Sequence, residues 1–179
     1  MRAINVAGHA TVRMTDLKDA FAAAGCKDVR TYIQSGNVIF DVPGKDSVPV
    51  FQSIRSKLRP LLGDDPEIVF RTVREVERIV AAAPFKVFEA EADIKLYVTF
   101  LSRKPQIRPK PKFPLRSAKE ALEAIAMRNL EVFTVSRRKK NGFYGFPNNF
   151  IEQELGVLAT SRNWSTVTRI AELVREAGR

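Results

Sequence analysis

The chain has 179 residues, 45% of them apolar, enough for a buried core in one large or two compact units. A single cysteine, Cys26, and a single histidine, His9, exclude an intrachain disulfide and a structural zinc site, and no apolar run approaches the roughly 20 residues of a membrane span. The net charge of +10 is concentrated: residues 101–140 hold 12 Lys+Arg against 3 Asp+Glu, whereas 1–100 hold 14 against 13 and 141–179 hold 4 against 4.

The N-terminus meets Asn5 and Gly8 before any signal-length apolar core develops, so a reducing cytosol is the expected compartment. Thr15 is placed to N-cap a helix whose Leu17, Ala20, Phe21 and Ala24 share one face, with Gly25 as its stop. The run Val29 to Phe40 is β-branched and aromatic but interrupted by Ser35-Gly36-Asn37, which predicts two strands reversing at a positive-φ turn. That turn is expected to leave the side chains of Gln34, Ser35 and Asn37 available. A helix over 47–62 follows, with Pro60 in its last turn, then a strand over 67–71 and a capping box, Thr72-Val73-Arg74-Glu75, opening a helix that ends before Pro84.

The second half predicts a strand over 96–101 and a proline-rich, acid-free basic loop from Arg103 to Arg116. Ser117-Ala118-Lys119-Glu120 reads as a capping box for a helix reaching about Met127. Residues 130–136 alternate as a strand, Asn141-Gly142 is a hairpin signal, and Phe143 to Phe146 return. Asn149 with Glu152 caps a short helix ending at Leu155-Gly156, and Asn163 opens a last one. Residues 15–72 thus run α-β-β-α-β and residues 94–155 run β-α-β-β-α. The expected class is α+β, with two ferredoxin-like (βαββαβ-type) halves, 1–90 and 91–179, their antiparallel sheets covered by helices, plus a C-terminal helix.

Three segments carry a family resemblance: Arg2-Ala3-Ile4-Asn5-Val6-Ala7-Gly8, Val29 to Phe40, and the C-terminal pair Asn148 to Glu152 and Leu155 to Val167. On these the chain resembles the bacterial family named for domain of unknown function 1697, across essentially its whole length. The resemblance implies the fold and supplies no chemistry. Family members usually carry an extra apolar strand ahead of the first segment. Met1 stands directly against Arg2 here, so that strand is expected to be missing, through a misassigned or truncated start or because a second copy of the chain fills the gap. Ala3 and Ala7 stand where the family tends to have glycine.

The residues admit three kinds of site. A polar ligand site for a phosphate, carboxylate or base would draw on Arg2, Asn5, Gln34, Ser35, Asn37, Arg162, Asn163 and Trp164. The bland alternative is that these make a turn, a cap and a packing contact. A nucleic-acid surface would use the 103–116 loop and the tip Arg137-Arg138-Lys139-Lys140, with Tyr97 and Tyr144 as stacking aromatics if residues 142–146 form the third strand of a ferredoxin-like sheet. Against it stands an ordinary solvated basic loop. An enzyme is the third reading, acting on a nucleotide-like substrate by electrostatic stabilisation from Arg2, Gln34 and the Arg162-Asn163-Trp164 group. His9, Cys26 and the pair Asp64-Asp65 lack partners at any recognisable catalytic spacing. No cofactor or metal motif is legible, and no catalytic residue is named. The expected partner is a nucleic acid or a phosphate-bearing small molecule, with a homodimer as the further option and no membrane association.

Overall fold

The computed structural model describes residues 12–32, 36–44, 47–62 and 68–177, in two compact units divided between Ile68 and Val69. The described elements are helices, an antiparallel two-stranded sheet and an antiparallel five-stranded sheet, an α+β architecture. None of the described helices is long and apolar enough to cross a membrane.

In the first unit, helix α1 (Met14–Ala23) buries Leu17, Ala20 and Phe21, the face its periodicity predicts. It starts one residue before Thr15. Arg13 holds the N-cap position without a side-chain cap and instead grips Asp16 with Nε and Nη2 at 3.0 and 2.9 Å, which corrects the expected Thr15 cap. Gly25, at φ +91°, ends the helix as expected. Strands β1 (Lys27–Tyr32) and β2 (Asn37–Asp41) pair antiparallel, and Gly36 takes the positive φ of +78°. Helix α2 (Val48–Leu62) tolerates Pro60 near its end and buries Ile54 and Leu58. Phe40 meets Phe21 edge-on at 4.9 Å, tying the hairpin to α1.

The predicted strand over 67–71 does not form among its described residues 68–71. Arg71 is the reason. Its Nε reaches Glu131 Oε1 at 2.7 Å, Nη2 donates to the carbonyls of Leu101 and Leu130 at 3.0 and 3.2 Å, and Nη1 donates to Phe70 O at 2.8 Å. A residue so engaged anchors its segment by side chain instead of by a backbone ladder. The next residue, Thr72, opens helix α3 (Val73–Ala81) with both reciprocal bonds of the capping box. Burial opposes the charge on Glu75, but the hydrogen bonds from Thr72 outweigh it and hold its carboxyl below the usual range.

The large sheet comprises β3 (Ile94–Leu101), β4 (Leu115–Ser117), β5 (Leu122–Arg128), β6 (Glu131–Arg137) and β7 (Ala159–Asn163), in the order β4-β5-β6-β3-β7. Its four longer strands, β5-β6-β3-β7, have the order of a ferredoxin-like sheet, with the first crossover made by irregular chain and the short β4 where that fold has a helix. The helix expected over 117–127 is therefore absent. Only half of the Ser117 capping box forms, Glu120 N to Ser117 Oγ at 3.3 Å, because the Glu120 carboxylate goes to Lys139 at 2.7 Å. Ala121 then turns to φ +52°, outside the helical range, and Leu122 to Arg128 pair with β6. Cross-strand pairing overrides the helical propensity of an Ala-, Glu- and Met-rich segment.

Both faces of this sheet are covered. Helix α4 (Asn148–Leu155) packs Phe150, Ile151 and Leu155 with Leu101, Leu122, Ala124, Val132 and Ala159. On the other face Ile79 of α3 and Val167 of α5 (Trp164–Ala177) close over Val98, Phe100 and Phe133. Six consecutive buried residues in β6 follow from that double cover.

Replacing Arg71 by Met should leave Glu131 as an uncompensated carboxylate, 7% exposed, and take a donor from the Leu101 carbonyl, while the Leu130 carbonyl keeps its bond from Leu101 N. We expect a loss of about 3–5 kcal/mol in urea unfolding. The double variant Arg71→Met/Glu131→Leu should regain much of it, and Arg71→Lys should not rescue, since an ammonium cannot make the forked contacts.

Candidate functional site

Of the residues proposed for a polar ligand site, Arg2, Asn5, Gln34 and Ser35 lie outside the described residues, as do His9, Asp64 and Asp65. Asn37 does not keep its amide available: Nδ2 donates to Tyr32 O at 3.1 Å and closes the β1–β2 hairpin. Asn37 belongs to the first unit, and Arg162, Asn163 and Trp164 to the second.

Arg162 is 8% exposed on β7, paired with Val98, and donates through Nη1 to Thr160 Oγ1 at 2.7 Å and Ser161 O at 2.8 Å. Burial pushes its pKa down to about 10, so it stays cationic at neutral pH. Asn163 ends β7 directly before α5, and Trp164 packs edge-on against Phe85 at 5.3 Å. The Asn148 to Glu152 segment also has a structural role. The expected Asn149–Glu152 cap is replaced by a clamp in which Asn148 Nδ2 donates to Ala159 O at 3.3 Å and Glu152 Oε1 accepts from Ala159 N at 2.8 Å. Residues one helical turn apart thus hold both backbone groups of one residue on the outer strand.

Cys26 is buried, and burial raises its thiol pKa, the opposite of what a nucleophile needs. Among the described residues no group of three or more His, Cys, Asp or Glu could hold a metal ion.

The basic block divides into two parts. At the hairpin tip, Arg137 pairs with Glu91, Arg138 with Asp93 at 3.2 Å and Lys139 with Glu120 at 2.7 Å, while Lys140 is exposed. The crossover between β3 and β4 differs. Residues 102–119 contain no acid, and Arg103, Lys104, Arg108, Lys110 and Lys112 are exposed and form no ion pair among the described residues. The segment is not loose: Ile107, Phe113 and Leu115 pack on the α4-side core. From 111 to 117 exposed and half-buried residues alternate, so Lys112 and Arg116 project while Phe113 and Leu115 anchor. That alternation was available in the sequence, but the prolines at 109, 111 and 114 masked it.

The aromatic expectation needs correction. The third strand is β6, not 142–146, where only a single bridge, Arg138 to Tyr144, forms. Tyr97 is 5% exposed beneath Phe146, centroids 5.5 Å apart, so it has no open face for a base. The Lys95 ammonium lies 4.6 Å from the Tyr144 ring centroid. Among the described residues the exposed aromatics are instead Phe143 and Phe146, which lie in the 142–146 stretch but on either side of the Tyr144 chosen from it.

With this geometry in place, the comparisons add one assignment. The family model described as "Protein of unknown function (DUF1697)" matches residues 1–133. No curated protein and no solved structure matches the chain.

Burial, and then the neighbouring Tyr144, raise the Tyr97 pKa above its ordinary value. The native state therefore keeps that proton longer than the unfolded chain, so the contribution is intact below about pH 10 and lost as pH rises through the folded value. Absorbance titration at 295 nm should show one late tyrosine. Tyr97→Phe should remove it and reduce the fall in stability above about pH 10.

Proposed function

Because the chain belongs to this family of proteins of unknown function, its activity has to be read from its own residues, and we propose that it binds a polyanion, nucleic acid, through the β3–β4 crossover. The observation that carries this reading is the row Arg103, Lys104, Arg108, Lys110 and Lys112 on an anchored, acid-free segment. Anchoring matters because a fixed cation loses less side-chain and backbone freedom on meeting a phosphate than one on a mobile loop. Arg108, Lys110 and Lys112 are exposed within five residues of one another, a local cluster of cations suited to phosphate groups. The field is local to the second unit, which holds 21 Lys+Arg against 12 Asp+Glu. The tip contributes less to this reading, since Arg137 and Arg138 sit opposite Glu91 and Asp93.

The test is fluorescence anisotropy with a labelled oligonucleotide across a salt series. Affinity should fall steeply with salt, and Arg108→Gln/Lys110→Gln/Lys112→Gln should weaken binding at least tenfold at low salt. For a single strand the slope of log K against log salt should shrink by about 2, three contacts at roughly 0.7 each. Arg137→Gln/Arg138→Gln should reduce it by less. Salt-independent binding, or a triple variant that binds like the parent, would refute the reading.

A further inference from the structure

Phe143 and Phe146 are 72% and 52% exposed, three residues apart in the return arm of the Asn141-Gly142 hairpin. Their exposure is built in. Lys139 N donates to Phe143 O at 2.8 Å, Gly142 N to Lys139 O at 2.9 Å and Phe143 N to Asn141 Oδ1 at 3.1 Å. Ser136 Oγ donates to Gly145 O at 3.0 Å, and a Cβ on Gly145 would lie 2.1 Å from Glu120 O, so the arm is pressed against the 117–121 turn. Phe146 is further fixed edge-on by buried Tyr97. A hairpin bonded in this way holds two phenyl rings in water at a hydrophobic cost, with exposed Lys95 and Lys140 close in the chain pairing.

Phe146 and the cationic crossover lie on the same side of the sheet. Phe146 covers Tyr97 just ahead of α4, and Ile107 meets Gly156 at the other end of that helix, 3.9 Å from where a Cβ would stand. Eight helical residues separate the two places by about 12 Å. An occupant must offer flat apolar faces to one end and anionic groups to the other, and a strand of unpaired nucleotides has both. Resting on the polyanion reading above, we propose that Phe143 and Phe146 are a stacking platform for the bases of single-stranded nucleic acid whose phosphates follow the crossover cations. A duplex keeps its bases stacked on one another and gains nothing from the phenyl rings.

The test compares a short oligothymidylate, a duplex of equal length and anionic phospholipid vesicles on the full chain. Phe143→Ala and Phe146→Ala should each weaken single-strand binding about tenfold, with the salt slope and duplex binding unchanged. Phe143→Tyr should retain most of the affinity. In Phe143→Trp the new indole should be quenched as oligothymidylate binds, against the constant background of Trp164. Phe143 is exposed enough that circular dichroism melts of its variants should match the parent. If the parent binds with a steep salt dependence but the alanine variants bind equally well, stacking is wrong and the polyanion reading stands. If the parent binds no oligonucleotide, both fall, and if it binds only vesicles or self-associates through the phenyl patch, the stacking assignment is overturned.

Discussion

The second unit hangs on one guanidinium. Arg71 directs its donors to Glu131 and to the carbonyls of Phe70, Leu101 and Leu130, and its Cζ lies 5.6 Å from the Phe100 ring centroid. These contacts fasten the segment entering the unit to the ends of β3 and β6, the two strands at the centre of the large sheet. A lysine could neutralise Glu131 but could not satisfy three carbonyls in different directions. Because α3 begins two residues after Arg71, its capping box starts from a fixed point, and the helix arrives over Val98 and Phe133 already oriented.

The charge pattern follows from that frame. Among the described residues both faces of the sheet are covered, and the proposed recognition therefore falls to its loops. The crossover that would be a helix in a regular ferredoxin-like unit is irregular chain, and from Pro111 to Ser117 it turns every second side chain outward. Lysine and arginine occupy outward positions while Ile107, Phe113 and Leu115 tie the backbone to α4. The acids Glu91, Asp93 and Glu120 gather instead around the hairpin tip, where they help fix its shape.

Much of this architecture was legible. The face of α1, the span of α2, the Thr72–Glu75 box, the reversal at Gly36 and the left-handed stop at Gly156 are local properties, set by residues within one or two turns of each other. The failures share a different cause. Leu122 to Arg128 reads as helix because what makes it a strand is β6, and Glu120 leaves its capping role because Lys139 is nearby only in the folded chain. Glu152 reads as the capping partner of Asn149 because its actual partner, Ala159, lies beyond a glycine stop. Of the candidate site, the basic crossover was visible as composition. That its cations are held on a packed segment, while those at the tip are paired, depends on contacts far apart in sequence.

The clamp on Ala159 bears on how the protein behaves at high concentration. The outer strand of a sheet offers unsatisfied backbone groups that another chain can pair with, the usual seed of ordered aggregates. On β7 the amide and carbonyl of Ala159 and the carbonyl of Ser161 are already taken by Glu152, Asn148 and Arg162. At the opposite border β4 is only three residues long, too short a template to hold a foreign strand. The β7 margin of the large sheet is thus guarded against strand-by-strand growth by its own side chains, while β4 covers only Leu122 to Ala124 of β5.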